Sequence, residues 1–420
     1  MKIEADLVLS NASQLVTMAA AQEPAEAGEK LGITFDGTVA VRKGRIAWTG
    51  PSGRASKHVA LLPGGEEIDC RGKVVVPGFI DSHTHLLFAG TREHEFELRI
   101  KGASYQEIAR SGGGIKSTVE KTRRAGREEL AEIGRRNLRS MLSLGTTTVE
   151  AKTGYGLSTE DELKMLRVLR DLSVETPVEI VPTFLGAHEI PGEFAGKKEE
   201  YVRLVIDEMI PAVAREKLAV FCDVFCEKGV FEVEESRRIL AGGKRHGLIP
   251  KIHADELSDL GGAELAAEVG AASADHLLFA GEKGMEAMAE KGVVSTLLPG
   301  TAFFLFLGRY APARKMISKG VTVALASDFN PGSCMTESLP LITTIACTQM
   351  RMTPAEALMG ITLHAARALR REKDLGSIEP GKQADLLVLD IPDYRHISYH
   401  FGVNHVRTVI KKGKTVCENR

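Results

Sequence analysis

The chain has 420 residues, with 54 Lys and Arg against 56 Asp and Glu, so its formal net charge is −2. That balance argues against a nucleic-acid partner, because nucleic-acid domains carry a basic excess. With 43% hydrophobic and 26% charged residues the composition is that of a folded globular protein, and 42 glycines with 5% aromatics suit an α/β chain with many turns and an aliphatic core.

The N-terminal Met1-Lys2-Ile3-Glu4-Ala5-Asp6 places two acids where a signal peptide needs an apolar stretch, so no secretion signal is expected. Residues 1–75 read as strand-rich. Ala5–Leu9 is mostly apolar, and Thr38–Val41 and Arg45–Trp48 flank a hairpin turn at Arg42-Lys43-Gly44. Gln22–Lys30, acidic with Pro and Gly, reads as a surface loop.

From residue 78 apolar strand-like runs alternate with amphipathic helical ones. The strands are Gly78–Ile80, Thr146–Ala151, Glu179–Phe184, Ala219–Phe225, Ile249–Ile252, Ser273–His276, Gly292–Thr296 and Val321–Ala326. Helices are expected at Arg127–Leu144, Glu160–Leu172, Lys198–Arg215 and Glu234–His246. Eight strand–helix units predict an α/β fold of the (β/α)₈ barrel type over residues 76–375. The most apolar short run, 301–308, is too short to span a bilayer, so no membrane association is expected.

The tail returns to strands at Asp385–Asp390 and Val406–Lys411, with Lys412-Gly413 repeating the lysine-glycine turn. Residues 1–75 and 376–420 are therefore expected to pair into a small β-sandwich module that the barrel interrupts. Cys70, Cys222, Cys226, Cys334, Cys347 and Cys417 form no CxxC pair and read as reduced thiols of a cytoplasmic protein.

Chemistry concentrates at the strand ends. In His83-Thr84-His85, following the first barrel strand, two imidazoles point to one side of an extended segment and can share a metal. His253, His276 and Asp328 end three further strands, at the barrel face where active sites form. The five residues offer nitrogen and oxygen donors suited to zinc or another divalent first-row metal. Arg92, seven residues after His85, has the planar fork that pairs with a carboxylate. Tyr155 and His188 also follow strands and can complete an anion site. Gly112-Gly113-Gly114 lacks the Gly-Lys-Ser/Thr of a phosphate loop and reads as a loop at the site mouth.

Gly78-Phe79-Ile80-Asp81-Ser82-His83-Thr84-His85 resembles the opening motif of the amidohydrolase superfamily, and Gly376–Leu386 resembles its closing motif, so the resemblance spans nearly the whole chain. Within the superfamily, residues 89–95, 111–115, 152–157, 253–256 and 327–333 resemble the imidazolonepropionase family of histidine degradation. The resemblance implies hydrolysis of 4-imidazolone-5-propanoate to N-formimidoyl-L-glutamate. It also implies one divalent or trivalent metal per chain, zinc or iron, on His83, His85, His253 and Asp328. Substrate contacts are implied for Arg92, Tyr155, His188, Glu256, Asn330, Gly332 and Ser333, and catalytic proton handling for Glu256, His276 and Asp328. A homodimer is expected. Lys228 lies near the place where binuclear relatives carry a metal-bridging lysine, Lys152 reads as structural or substrate-facing, and His364 stands where relatives usually have Asn. The alternatives are an aminohydrolase of a purine-like ring, disfavoured by Arg92 with Tyr155, and an inactive scaffold, disfavoured by the intact donor set.

Overall fold

Alternating apolar residues at the start of the chain fold into long paired strands. The computed structural model describes residues 2–19, 31–103, 107 and 113–419. The expected loop at 22–30 lies outside these residues. Strands β1 (Ile3–Val16), β2 (Ile33–Arg42) and β3 (Arg45–Pro51) form an antiparallel meander. Strands β4 (Val59–Asp69) and β5 (Val74–Pro77) lie parallel to β1. The expected turn between β2 and β3 is present, with Lys43 and Gly44 both at positive φ (49° and 76°), the conformation that tight hairpins select.

The tail completes the same sheet. Counting the barrel strands between, β15 (Leu386–Leu389) pairs antiparallel with β5, then β16 (Val406–Lys411) and β17 (Lys414–Glu418) follow as a hairpin. The sheet curls over one core containing Leu7, Leu9, Val39, Val41, Val75, Leu386, Val388 and Ile410. The two lysine-glycine turns meet: a Cβ on Gly413 would lie 3.0 Å from the Gly44 Cα, and one on Gly44 would lie 2.8 Å from the Lys412 carbonyl oxygen. The sandwich is thus one sheet folded over itself.

All eight barrel strands appear: β6 (Phe79–Asp81), β7 (Thr146–Lys152), β8 (Glu179–Ala187), β9 (Phe221–Cys226), β10 (Ile249–Pro250) with β11 (Ile252–Ala254), β12 (Ser273–His276), β13 (Val294–Leu297) and β14 (Val323–Leu325). They are parallel and ordered as in the chain. The fifth strand runs as two short pieces on either side of Lys251, whose N–H still donates to the Cys222 carbonyl (2.9 Å). The barrel closes just beyond β6 and β14: Asp328 N donates to the His83 carbonyl (3.0 Å) and His85 N to the Phe329 carbonyl (3.0 Å). Asp81 fastens the same seam, accepting from Ser327 N (3.0 Å) and Ser327 Oγ (2.5 Å).

Helices at Arg127–Ser143, Thr159–Glu175 and Val233–Arg245 match the expected spans to within a few residues. Thr159–Glu175 starts at a Ser158 cap and buries Leu163, Met165, Leu166, Val168, Leu169 and Leu172. Truncating one of these leucines to alanine costs about 2–5 kcal/mol. The expected helix at 198–215 is present over that span, with one internal irregularity. It runs as Lys198–Leu204, a wider π-helical turn at Val205–Met209, and Ile210–Arg215, since Pro211 cannot donate to the preceding turn. Among the described residues no helix is long and apolar enough to cross a membrane. All six cysteines are unpaired.

Candidate metal centre and substrate cleft

Three strand ends carry side chains on strained backbone. Asp255, His276 and Asp328 have φ of 49°, 76° and 53°, a region that residues with a Cβ rarely enter. The turn after β11 is held by Asp255, which accepts from the N–H groups of Gly262 and Ala263 (both 2.9 Å). The turns beyond β12 and β14 bring His276 and Asp328 to the residues that follow β6.

The expected donors converge. Donor atoms of His83, His85 and His253 lie within 4.8 Å of one another, as do those of His83, His276 and Asp328. Asp328 Oδ1 is 3.5 Å from His83 Nε2 and 3.6 Å from His85 Nε2. The rings of His83 and His253 are 4.6 Å apart, at 64° to each other. His83 Nε2 and His253 Nε2 are buried without a hydrogen-bond partner, an arrangement costly unless something binds there. Burial, with Lys152 and neighbouring imidazoles adding to it, holds His83, His85 and His253 well below the usual histidine pKa. Neutral nitrogens are the form that binds a metal. Three nitrogens and a carboxylate oxygen therefore fit one metal ion.

Beneath the imidazoles lies a layer of charge of which sequence reasoning singled out only Lys152. Asp275 Oδ2 is 2.6 Å from His83 Nδ1. Asp223 Oδ2 is 3.1 Å from His253 Nδ1. Lys152 Nζ reaches Asp223 Oδ2 (2.7 Å) and Glu150 Oε1 (2.8 Å), with Asp275 Oδ2 at 3.5 Å. Burial opposes the charge on Lys152, but Asp223, Glu150 and Asp275 outweigh it and hold the ammonium protonated far above neutral pH. Lys251 Nζ donates to the Ser82 carbonyl (3.0 Å). The available signal was a charged residue inside a strand expected to be buried, clearest in Phe221-Cys222-Asp223-Val224-Phe225. Lys152 is thus buried below the metal donors, while Lys228 is solvent-exposed and outside the cluster.

Glu256 and His276 stand together over the donors, with Oε1 and Nδ1 3.5 Å apart. Burial, then the nearby charges of Asp328 and Glu227, push the Glu256 carboxyl up to about 8. Burial lowers His276 to about 4, so its ring is neutral. Asp328 is raised to about 7, again chiefly by burial, and its Oδ2 accepts from Thr301 Oγ1 at 2.5 Å. Glu227 braces the loop that carries Glu256, accepting from Leu257 N (2.9 Å) and from Ser258 Oγ.

Tyr155, His188 and His85 form one aromatic wall. His188 stacks on His85 at 4.8 Å and lies 5.5 Å from Tyr155. Glu162 fixes the Tyr155 loop by accepting from Gly156 N and Leu157 N, both at 2.8 Å. The fork of Arg92 does meet a carboxylate, but it is the chain's own: Nε and Nη2 donate to Glu95 Oε2 at 2.9 and 2.7 Å. Glu95 Oε1 accepts from Gly114 N at 2.9 Å, which ties the glycine loop to Arg92. Ser111 and Gly112 of that loop lie outside the described residues. The remaining guanidinium nitrogen, Nη1, covers Gly332, where a Cβ would sit 2.1 Å from it. Asn330 Oδ1 accepts from Gly332 N and Ser333 N (both 2.8 Å), so its carbonyl shapes the turn. His364 lies away from these groups, its Nδ1 bonded to the Val323 carbonyl at 2.8 Å.

A family model described as "Amidohydrolase family" matches residues 74–416. Over 414 residues the chain is 53% identical to an imidazolonepropionase of Geobacillus kaustophilus (strain HTA426), covering 98% of this chain and 97% of that protein. It is 52% identical over 416 residues to an imidazolonepropionase of Shouchella clausii (strain KSM-K16), covering 98% and 93%. Among solved structures, an adenosine deaminase from Xanthomonas campestris with bound zinc superposes with a TM-score of 0.73 at 18% identity, over 99% of this chain and 93% of that one. A triazine hydrolase variant gives 0.74 at 16%, over 98% and 95%. These distant structures share the fold, and the near relatives specify the branch: the chain belongs to the imidazolonepropionase family of amidohydrolases.

Proposed function

We propose that residues 76–375 form the catalytic unit and that His83, His85, His253 and Asp328 hold one metal ion, zinc or iron. The reaction is hydrolysis of the ring amide of 4-imidazolone-5-propanoate to N-formimidoyl-L-glutamate, in histidine degradation. The observation that carries the metal assignment is that His83 Nε2 and His253 Nε2 are buried without a partner, the first of them 3.5 Å from Asp328 Oδ1. Bound there, a metal supplies Lewis acidity toward the ring carbonyl and makes water nucleophilic near neutral pH.

The chain's residues do the rest. Hydrolysis forms a bond from the water oxygen to the ring carbonyl carbon and breaks that carbon's bond to the ring nitrogen. One proton must leave the water and another must reach the nitrogen. Asp328 receives the first. Glu256, a protonated carboxyl up to about pH 8, delivers the second. His276, neutral and 3.5 Å from Glu256, donates a hydrogen bond to the carbonyl oxygen as charge develops on it. Tyr155, His188 and the Asn330–Ser333 turn hold the ring. Arg92, oriented by Glu95, meets the propanoate carboxylate.

Elemental analysis of protein purified without added metal, paired with assay on imidazolonepropanoate, tests this. About one zinc or iron per chain with turnover is expected; two tightly held metals, or turnover without metal, would count against it. The same mechanism gives no use for a carboxylate clamp on a neutral purine-like ring. We further infer a cytoplasmic homodimer. Exposed Tyr399 and Phe401 support the association, which sedimentation would test.

A further inference from the structure

Lys152 and Lys251 are wholly buried, yet no step of the proposed chemistry uses either. A buried ammonium is retained only with good partners, and these partners all lead to the metal donors. Lys152 touches Asp223 at 2.7 Å and stands 3.5 Å from Asp275. Those two carboxylates face His253 Nδ1 at 3.1 Å and His83 Nδ1 at 2.6 Å. The Lys152 backbone N–H donates to the Thr84 carbonyl (2.9 Å), and the Thr84 hydroxyl donates to the Glu150 carbonyl (2.7 Å), so the residue between the two histidines is fixed as well. Lys251 grips the adjacent Ser82 carbonyl at 3.0 Å and lies 3.6 Å from Glu150.

We infer that Lys152 and Lys251 are positioning residues for the metal: Lys152 sets His83 and His253 through Asp275 and Asp223, and Lys251 sets the His83-Thr84-His85 segment through Ser82. His83, hydrogen-bonded at Nδ1 to Asp275, has its Nε2 turned to a fixed place, while Asp223 lies 3.1 Å from His253 Nδ1 as a charge contact without a hydrogen bond. Such outer partners typically change metal affinity about 10- to 100-fold. The inference rests on the one-metal reading of the site.

The test is metal retention by purified holoprotein against a chelator of known affinity, for the parent and three variants. Lys152→Met combined with Glu150→Gln removes one charge of each sign. It should weaken metal binding on the order of 10- to 100-fold. Lys251→Met leaves the Asp223 contact of Lys152 in place. It should weaken binding by about 10-fold, which keeps the question answerable if the double variant does not fold. Lys411→Met, at the other end of the barrel, should lower thermal stability and leave metal affinity within about twofold of the parent, since it touches none of these groups. Parent-like affinity in the folded Lys152 or Lys251 variants overturns the inference alone. Equal losses in all three would also overturn it, by showing general loosening. A parent that binds no metal would overturn the one-metal reading and the inference together.

Discussion

Two buried charge clusters occupy opposite ends of the barrel and differ in how they finish. At the strand starts, Lys411 Nζ donates to Asp385 Oδ2 (2.7 Å) and to Glu179 Oε2 and Thr148 Oγ1 (both 3.3 Å), while Arg371 also binds Glu179 and Gln383 reaches both acids. None of these side-chain groups is a buried atom without a partner. At the strand ends, Lys152, Lys251, Glu150, Asp223 and Asp275 make equally close contacts, but the cluster leads to imidazole nitrogens that have none. The lower cluster is closed and docks the terminal sheet on the barrel. The upper one is left open on one side, at the imidazole nitrogens. Charge burial alone does not separate the two clusters; the imidazole nitrogens left without a partner at the upper one do.

The sharpest way to break that contrast is at the open end. His83→Ala or Asp328→Ala should leave a folded barrel by circular dichroism, yet bring both bound metal and turnover to background. Retained metal in either would show that the open nitrogens are not its site. Glu256→Gln should keep the metal but lose on the order of 10²-fold or more in kcat, because glutamine has the size but no transferable proton. A near-parental rate in metal-replete protein would remove Glu256 from proton delivery.

Arg92→Ala should cost about 2–5 kcal/mol in kcat/KM on imidazolonepropanoate, the range for deleting one member of a buried charge pair. Part of that cost is Glu95 left unpaired. On an imidazolone lacking the carboxylate the loss should be much smaller, and Arg92→Lys should rescue poorly because it lacks the planar fork. Equal losses on both compounds would make Arg92 a support for Gly332 only.

At the closed end the effects should fall on stability. Lys411→Met should cost about 3 kcal/mol by denaturant unfolding, with kcat unchanged. The smallest effect is a pH dependence. Burial pushes the Glu179 carboxyl up, but Lys411, Arg371 and Gln383 outweigh it and bring it down to about 2. Its contribution is therefore present above the ordinary glutamate value and is lost as pH falls toward 2. Glu179→Gln should flatten the unfolding curve over that acid range, and an unchanged slope would mean the closed cluster does not govern acid stability.

The sequence makes the upper donors legible because each ends a strand, where position alone carries meaning in a barrel. It hides their supports for a geometric reason. Asp223 and Asp275 are separated by a whole strand–helix unit, and only barrel closure brings both carboxylates to one ammonium. Glu95 was closer to reach: three residues beyond Arg92, it has the spacing of a helical ion pair, and that signal was available. The widened turn ahead of Pro211 had an equally visible signal, since a proline inside a helical pattern removes a donor. Barrel and terminal module are readable from alternation and turn residues, whereas the folding of the module into one self-covering sheet depends on two glycine turns touching.

The pairing of β5 with β15 joins Pro77 to Leu386 across the entire barrel. During synthesis the first five strands leave the ribosome and wait roughly 15–60 s, at about 5–20 residues per second, before that partner exists. Until then the hydrogen-bonding edge of Val74–Pro77 and the apolar face of Leu7, Leu9 and Val75 lack their tail-strand cover. An open strand edge is a template for the wrong chain. The terminal sheet is therefore the part of the molecule for which the interval between translation and closure matters most, and slowing elongation within the barrel-coding segment should raise aggregation of nascent chains more than it harms the finished enzyme.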